Sequence, residues 1–204
     1  MKKMYDIFKV LIFLAIVLFP SAIVKGEEIG ENIDKIKANT VELVKIKSGV
    51  SYVDLNGDGK KDMVVSGYRG HITAHAFSVY SFYVSKKLTQ GETLYEWQIV
   101  SIGSGGGFAG DDIGKYAIST HQGADCVLRE ARLVKLKKSS SYYLVIADRL
   151  IGKSYADSAN IKFLFYRLTY SEDESRFIYE KVKEIESKYK YCDVIEAFEK
   201  ELEY

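Results

Sequence analysis

Residues 74–84 read AHAFSVYSFYV, and an extended backbone sorts these side chains cleanly. In a strand, successive side chains leave by opposite faces. Ala74, Ala76, Ser78, Tyr80, Phe82 and Val84 then line one face, and His75, Phe77, Val79, Ser81 and Tyr83 the other. The same period of two appears in VELVKIK at 41–47. Further strand candidates lie at 51–54, 63–68, 94–102, 127–137, 142–150 and 161–170, with a final one near 176–183. The 16 tyrosines and 10 phenylalanines fit this reading, because aromatic and β-branched residues favour strands. Helical spacing shows only near the ends. Ile29, Ile33 and Ile36 suggest a short helix or a loose lead-in within 27–40. Asp193 with Glu196 makes a D-x-x-E capping pattern ahead of Phe198 and Leu202. The expectation is one mainly antiparallel β domain, a sandwich or curved sheet spanning 27–204, with short terminal helices, the second near 193–203.

The first 26 residues stand apart. Lys2 and Lys3 precede the apolar run VLIFLAIVLF at 10–19, and Pro20 ends it before small and polar residues. This is the order of a secretory signal peptide, and the run is too short to cross a bilayer as a mature helix. An uncleaved anchor is the competing reading. The chain's 29 basic and 28 acidic groups include four lysines and one aspartate from this segment, so residues 27–204 carry 25 and 27, a net charge of −2. Neither balance suits a nucleic-acid partner. Export to the periplasm or medium changes how Cys126 and Cys192 read, since in an oxidising compartment an even pair points to a disulfide. Two buried thiols remain the alternative.

The sharpest local motif is Asp54-Leu55-Asn56-Gly57-Asp58-Gly59-Lys60-Lys61-Asp62, a D-x-N-x-D-G-x-x-D loop. Asp54, Asn56, Asp58 and Asp62 offer side-chain oxygens, Lys60 a backbone carbonyl, and Gly59 the sharp turn, in the spacing of an EF-hand loop. Crowded carboxylates of this kind suit a hard cation with flexible coordination, hence Ca²⁺. Position 12 is Val65 where an EF-hand needs a bidentate Glu, and the flanks are strands. The loop therefore resembles the variant in FG-GAP and VCBS-type repeats. A single copy gives no support to a propeller. A metal-free Asp/Asn/Gly turn is the plainer alternative, and an ion here could be purely structural or functional.

Other chemistry is thinner. His71 and His75 share a strand face by spacing and, with His121, offer three nitrogens, but no H-E-x-x-H motif joins them. The glycine-rich tract GSGGGFAGDDIG at 103–114 lacks the lysine and hydroxyl of a phosphate loop and reads as a mobile loop, with Asp111 and Asp112 on it. Asp125, Asp148 and Asp157 are carboxylates that a fold can bring together. No G-x-S-x-G elbow occurs. Exposed tyrosines suit a sugar, peptide or protein face.

The motif from Tyr52 to Val65, the tract Ala74-His75-Ala76-Phe77-Ser78-Val79-Tyr80 and the later Gly123-Ala124-Asp125-Cys126-Val127-Leu128-Arg129 together resemble the CarG-like family, periplasmic proteins linked to intrinsic carbapenem resistance in producing bacteria. The resemblance spans about residues 40–200 and implies protection by binding, not hydrolysis. Known lactamase signatures agree. His71 and His75 are spaced H-x-x-x-H and not H-x-H-x-D. Ser187-Lys188-Tyr189-Lys190 is the sole S-x-x-K, and no K-T-G accompanies it. The expected protein is an exported, calcium-binding, non-enzymatic binding or protective factor. Its partner is a small molecule or a protein, with a homodimer left open. The competing readings are a calcium-stabilised secreted hydrolase of polysaccharide or peptide, and a structural surface module.

Overall fold

The computed structural model describes residues 29–30, 32–70, 76–87, 95–103, 116–123, 125–150, 154, 156–172 and 176–203. Residues 1–26, His71, His75, Asp111, Asp112 and nearly all of the 103–114 tract lie outside the described residues. Among the described residues the order is α1 (Ile33–Asn39), β1 (Thr40–Lys45), β2 (Gly49–Val53), β3 (Asp62–Arg69), β4 (Phe77–Lys87), β5 (Tyr95–Ile99), β6 (Ser101–Ile102), β7 (Ile118–Ser119), β8 (His121–Gln122), β9 (Val127–Leu136), β10 (Tyr142–Arg149), β11 (Ile161–Ser171), β12 (Arg176–Glu186) and α2 (Val194–Glu201). Two sheets form, one ordered β1-β9-β10-β11-β12-β6 with β8 also on β9, the other β2-β3-β4-β5 with β7 on β4. The mainly antiparallel β reading holds. The exception is the parallel pairing of β12 with the two-residue β6.

The sheets face one another across a shared apolar core. Val64, Tyr80, Phe82 and Val84 of the smaller sheet meet Ala131, Leu133, Leu144, Ile146, Leu164 and Tyr166 of the larger one. The face of β4 read from its alternation, with Tyr80, Phe82 and Val84, is the face that packs inward. The larger sheet is buried on its other side as well. There Val134, Tyr143, Val145, Phe163 and Phe165 pack under Ile33, Ile36, Val194, Ala197, Phe198 and Leu202 of the helices. Phe198 meets Phe163 edge-on, with ring centroids 5.5 Å apart and planes at 68°. The result is three layers: helices, large sheet, small sheet. A strand in the middle layer cannot alternate apolar with polar, which is why all six residues from Tyr142 to Ala147 are buried.

The helix ends follow from their caps. The Asn32 side chain accepts the Lys35 N–H at 2.9 Å, and Thr40 closes α1 by donating to the Ile36 carbonyl. At α2 the Asp193 carboxylate accepts the Ile195 N–H at 2.7 Å and, with its other oxygen, the Val127 N–H at 3.2 Å. That second bond ties the helix to the start of β9. The Cys126–Cys192 disulfide, with Cα atoms 5.8 Å apart, makes the same connection covalently.

Candidate functional site

The Asp54–Asp62 motif forms the connection between β2 and β3, whose last pair is Val53 with Asp62. The loop is anchored at both levels of the sandwich. Leu55 is fully buried in the inter-sheet core, and its carbonyl accepts the Tyr142 N–H at 3.3 Å. Gly57 lies against Ser140 in the turn between β9 and β10. The loop of the small sheet thus rests on the large sheet. Gly57 and Gly59 take positive φ, 78° and 84°, the left-handed region that glycine tolerates.

The loop carboxylates collect backbone N–H groups. Asp54 Oδ1 accepts from Gly57 at 2.7 Å and Asp58 at 3.1 Å, and its Oδ2 accepts from Gly59 at 2.9 Å. Asn56 Oδ1 accepts from Asp58, and Asp58 Oδ1 from Lys60. Asp62 is turned inward, 1% exposed, with one oxygen on Leu55 N–H and the other on Ser85 N–H. Burial raises its pKa and the charge of Asp58 adds to this, while the amides oppose it. The donors are all oxygen, as a hard cation requires, and each side chain keeps lone pairs beyond its amide bonds. Among the described residues, no three His, Cys, Asp or Glu side chains gather into a metal-holding group. A cation at this loop would therefore draw on Asn56 and the Lys60 carbonyl as well as the exposed Asp58.

A second polar region brings His121 and Asp148 beside charged residues distant in sequence. Register places His121, Arg129, Asp148, Lys162 and Glu186 in one row across β8, β9, β10, β11 and β12. On β9 to β11 these positions share the face of Ala131, Ile146 and Leu164, which packs on the small sheet. Charge at such positions requires that the facing layer stop short. On the small sheet, Asp62, Val64 and Ser66 are 1%, 1% and 5% exposed, whereas Tyr68, next in that inward series, is 63% exposed. Tyr68 pairs with Ser78. Ser78 in turn joins the bridging segment through the bond from Thr120 N–H to its carbonyl, 2.8 Å. Tyr68 is thereby linked, through Ser78, Thr120 and the neighbouring His121, to the charged row.

In this row, Arg129 Nε faces Asp148 Oδ1 at 3.4 Å, and Lys162 pairs with Glu184 at 2.9 Å. Burial raises the pKa of Asp148 against the pull of Arg129 and His121. Tyr166 is fully buried, and its hydroxyl has no hydrogen-bond partner among the described residues. Burial pushes its pKa up to about 12, with Arg129 pulling it back and Asp148 and Glu184 adding to the rise.

The remaining candidates serve structural ends. Asp157 accepts the Ser154 N–H at 3.0 Å, a local turn, and its own carbonyl accepts from Arg149. Asp125 is exposed. Arg149 also donates to the Cys192 carbonyl at 3.1 Å, bracing the disulfide. Ser187 of the S-x-x-K tetrad is 7% exposed, accepts the Ile161 N–H at 2.9 Å and donates to the Tyr189 carbonyl at 2.6 Å. Its hydroxyl is consumed in pinning the end of β12 to β11.

Among curated proteins none matches the chain. A solved structure described as "Crystal structure of CarG" is similar, with a TM-score of 0.61 and 22% identity over 78% of this chain and 94% of that one. That likeness speaks to the fold. The model of the family described as "Carbapenem resistance protein CarG-like" matches residues 46–200, a stretch holding the Asp54–Asp62 loop, both sheets' core strands and both cysteines, and the chain belongs to that family.

Proposed function

We propose that the protein is an exported, non-enzymatic protective factor in carbapenem tolerance, acting by binding. Membership of a carbapenem-resistance family carries the reading. The state of Ser187 supports the non-hydrolytic part, because a serine whose oxygen is buried and bonded on both sides is not poised as a nucleophile. The basic-apolar order of residues 1–26 supports export. The test is expression in a carbapenem-susceptible bacterium. The full chain should raise survival while drug in the medium stays intact, and removing the leader should abolish the gain. Destruction of the carbapenem by the purified protein would refute it.

We further propose that the Asp54–Asp62 loop takes Ca²⁺ through Asp54, Asn56, Asp58, Asp62 and the Lys60 carbonyl. The oxygen-only donor set and the exposed Asp58 support this. The ion's place is structural, because the loop clamps the small sheet onto the β9–β10 turn. Chelation should lower the thermal midpoint, and Asp54→Ala or Asp58→Ala should remove that dependence. A melting curve indifferent to excess chelator overturns it.

A further inference from the structure

The outward side of the small sheet breaks the pattern that its inward side follows. An antiparallel sheet with one face on the core ordinarily turns polar residues to water on the other. Here the outward positions include Val50 and Tyr52 on β2, Val65 on β3, Val79 on β4 and Trp97 on β5. Val50, Tyr52, Val79 and Trp97 are 54%, 56%, 37% and 42% exposed. Among the described residues the helices cover the large sheet, and no layer lies on this face. Tyr52 and Trp97 belong to the first and last strands of the path β2-β3-β4-β5, yet their rings meet, centroids 6.5 Å apart and planes tilted by 50°. Strands three places apart lie about 14 Å from one another, so the two rings reach over β3 and β4 to meet. The described outward positions of this sheet hold no carboxylate and one cation, Arg69. Arg69 ends β3, away from the acidic β2–β3 loop, with its guanidinium 5.4 Å from the centre of the Phe77 ring.

We propose that this face docks on a phospholipid membrane surface, with Val50, Tyr52, Val79 and Trp97 entering the interface and Arg69 turned to anionic headgroups. Size, charge and hydrogen bonding choose lipid over other partners. The two rings leave about 100 Å² each in the open. With the two valines the patch is on the order of 300 Å², against about 800 Å² per partner in a stable protein interface. A second copy of this face, besides, brings no carboxylate to Arg69. A glycan stacked on the rings needs partners for its hydroxyls. The outward polar side chains beside the rings are Ser81 and Ser85, both half-buried, and Ser81 bonds to the Tyr83 hydroxyl at 3.4 Å. The boundary between headgroups and acyl chains asks for what is present: rings with a polar edge and an apolar body, aliphatic side chains, and a cation at the rim. Attachment of this kind is peripheral and reversible, and its strength follows the apolar area and the charge. The proposal stands apart from the carbapenem and calcium readings and fails separately from them.

Trp97 is the only tryptophan in the chain, so its fluorescence reports this face alone. The test mixes the exported, oxidised protein with vesicles of phosphatidylethanolamine and phosphatidylglycerol, with and without acyl chains brominated near the headgroup. Vesicles should shift the Trp97 emission to the blue in a saturable way, and brominated chains should quench it. Tyr52→Ser should weaken vesicle binding, read by flotation, by about tenfold or more, and Val79→Ser by about threefold or more. Arg69→Gln should weaken it by about fivefold, and should make no difference on vesicles without the anionic lipid. All three side chains are exposed, so the thermal midpoint should stay within a few degrees of the parent's. Should Tyr52→Ser unfold, Val79→Ser and Arg69→Gln carry the same comparison. Vesicles that leave the Trp97 emission unchanged overturn the proposal. So does flotation that survives these substitutions, which places attachment at the amino-terminal segment. A blue shift with soluble peptidoglycan fragments and none with vesicles makes the face a glycan platform. A dimer in sedimentation that shields Trp97 from acrylamide makes it a self-association surface. Either result overturns the membrane assignment and leaves the protective reading as it stands.

Discussion

Gly57→Ala isolates what the Asp54–Asp62 loop contributes by resting on the large sheet. Two costs attach to a methyl group at Gly57. The backbone φ of 78° places alanine in the left-handed region, about 1–2 kcal/mol for an L-residue. The new Cβ would also lie 2.7 Å from Ser140 Oγ and 2.8 Å from the Ser140 carbonyl carbon. Backbone cannot rotate away as a side chain can, so an overpacking cost of about 1–3 kcal/mol follows. Gly59 is the internal control: φ is 84° and a Cβ there meets nothing within 4 Å. Gly59→Ala carries the strain alone, offset by about 0.4–1 kcal/mol from the stiffer unfolded chain. The difference between the two variants is therefore the clash, about 1–3 kcal/mol, and at about 2–4 °C per kcal/mol for a domain of this size it separates their midpoints by roughly 2–12 °C. Thermal unfolding with chelator present reads this directly. Equal midpoints would mean that the loop does not dock on the β9–β10 turn and that its order is local to the hairpin.

Other perturbations probe the rest of the frame. Replacing Cys126 and Cys192 together by serine opens a loop of sequence separation 66, which in the chain-entropy model removes up to about 4 kcal/mol; a loss of unfolding free energy in urea below about a tenth of that would show that the α2–β9 bond network suffices alone. Leu55→Ala deletes a fully buried side chain and should cost about 3 kcal/mol, seen as a lower urea midpoint at constant slope. Asp148, whose pKa is raised by burial against Arg129 and His121, binds its proton more tightly folded than unfolded. Its favourable contribution is full below the unfolded value near about 4 and is lost as pH rises through the folded value. The stability of the native protein relative to Asp148→Asn should fall as pH is raised from about 4, and a difference that grows with pH contradicts this.

Much of the architecture follows from local patterns. The alternation in β4 assigns both its faces, because a strand with one wall on the core and one outside must alternate. The caps at Asn32 and Asp193 fix the helix starts. The helical layer over the large sheet is harder to read. The run Tyr142 to Ala147 declares burial on both sides, yet nothing in it says whether helices or a third sheet supply the cover. The bridging strands β7 and β8, two residues each, are too short to carry a period. Their pairing is set by the two sheets they join.

The same distinction separates the two candidate sites. The Asp54–Asp62 oxygens lie within nine consecutive residues, so their association is local and visible in sequence. The charged row draws His121, Arg129, Asp148 and Lys162 from four strands, β8 to β11, and only register brings them together. A trace was nonetheless present. Arg129 in VLREARL, Asp148 in YYLVIADR and Lys162 in IKFLF each put a charge where the strand's own alternation demands an inward residue. One such violation is tolerated at a sheet's end. Three in adjacent strands at the same level mean that the core stops there by design, because the cost of burying them would otherwise fall on every one. Arg129, Asp148 and Lys162 accordingly keep side-chain exposures of 16%, 32% and 36%, and the strands' own hydrogen bonds hold them in place.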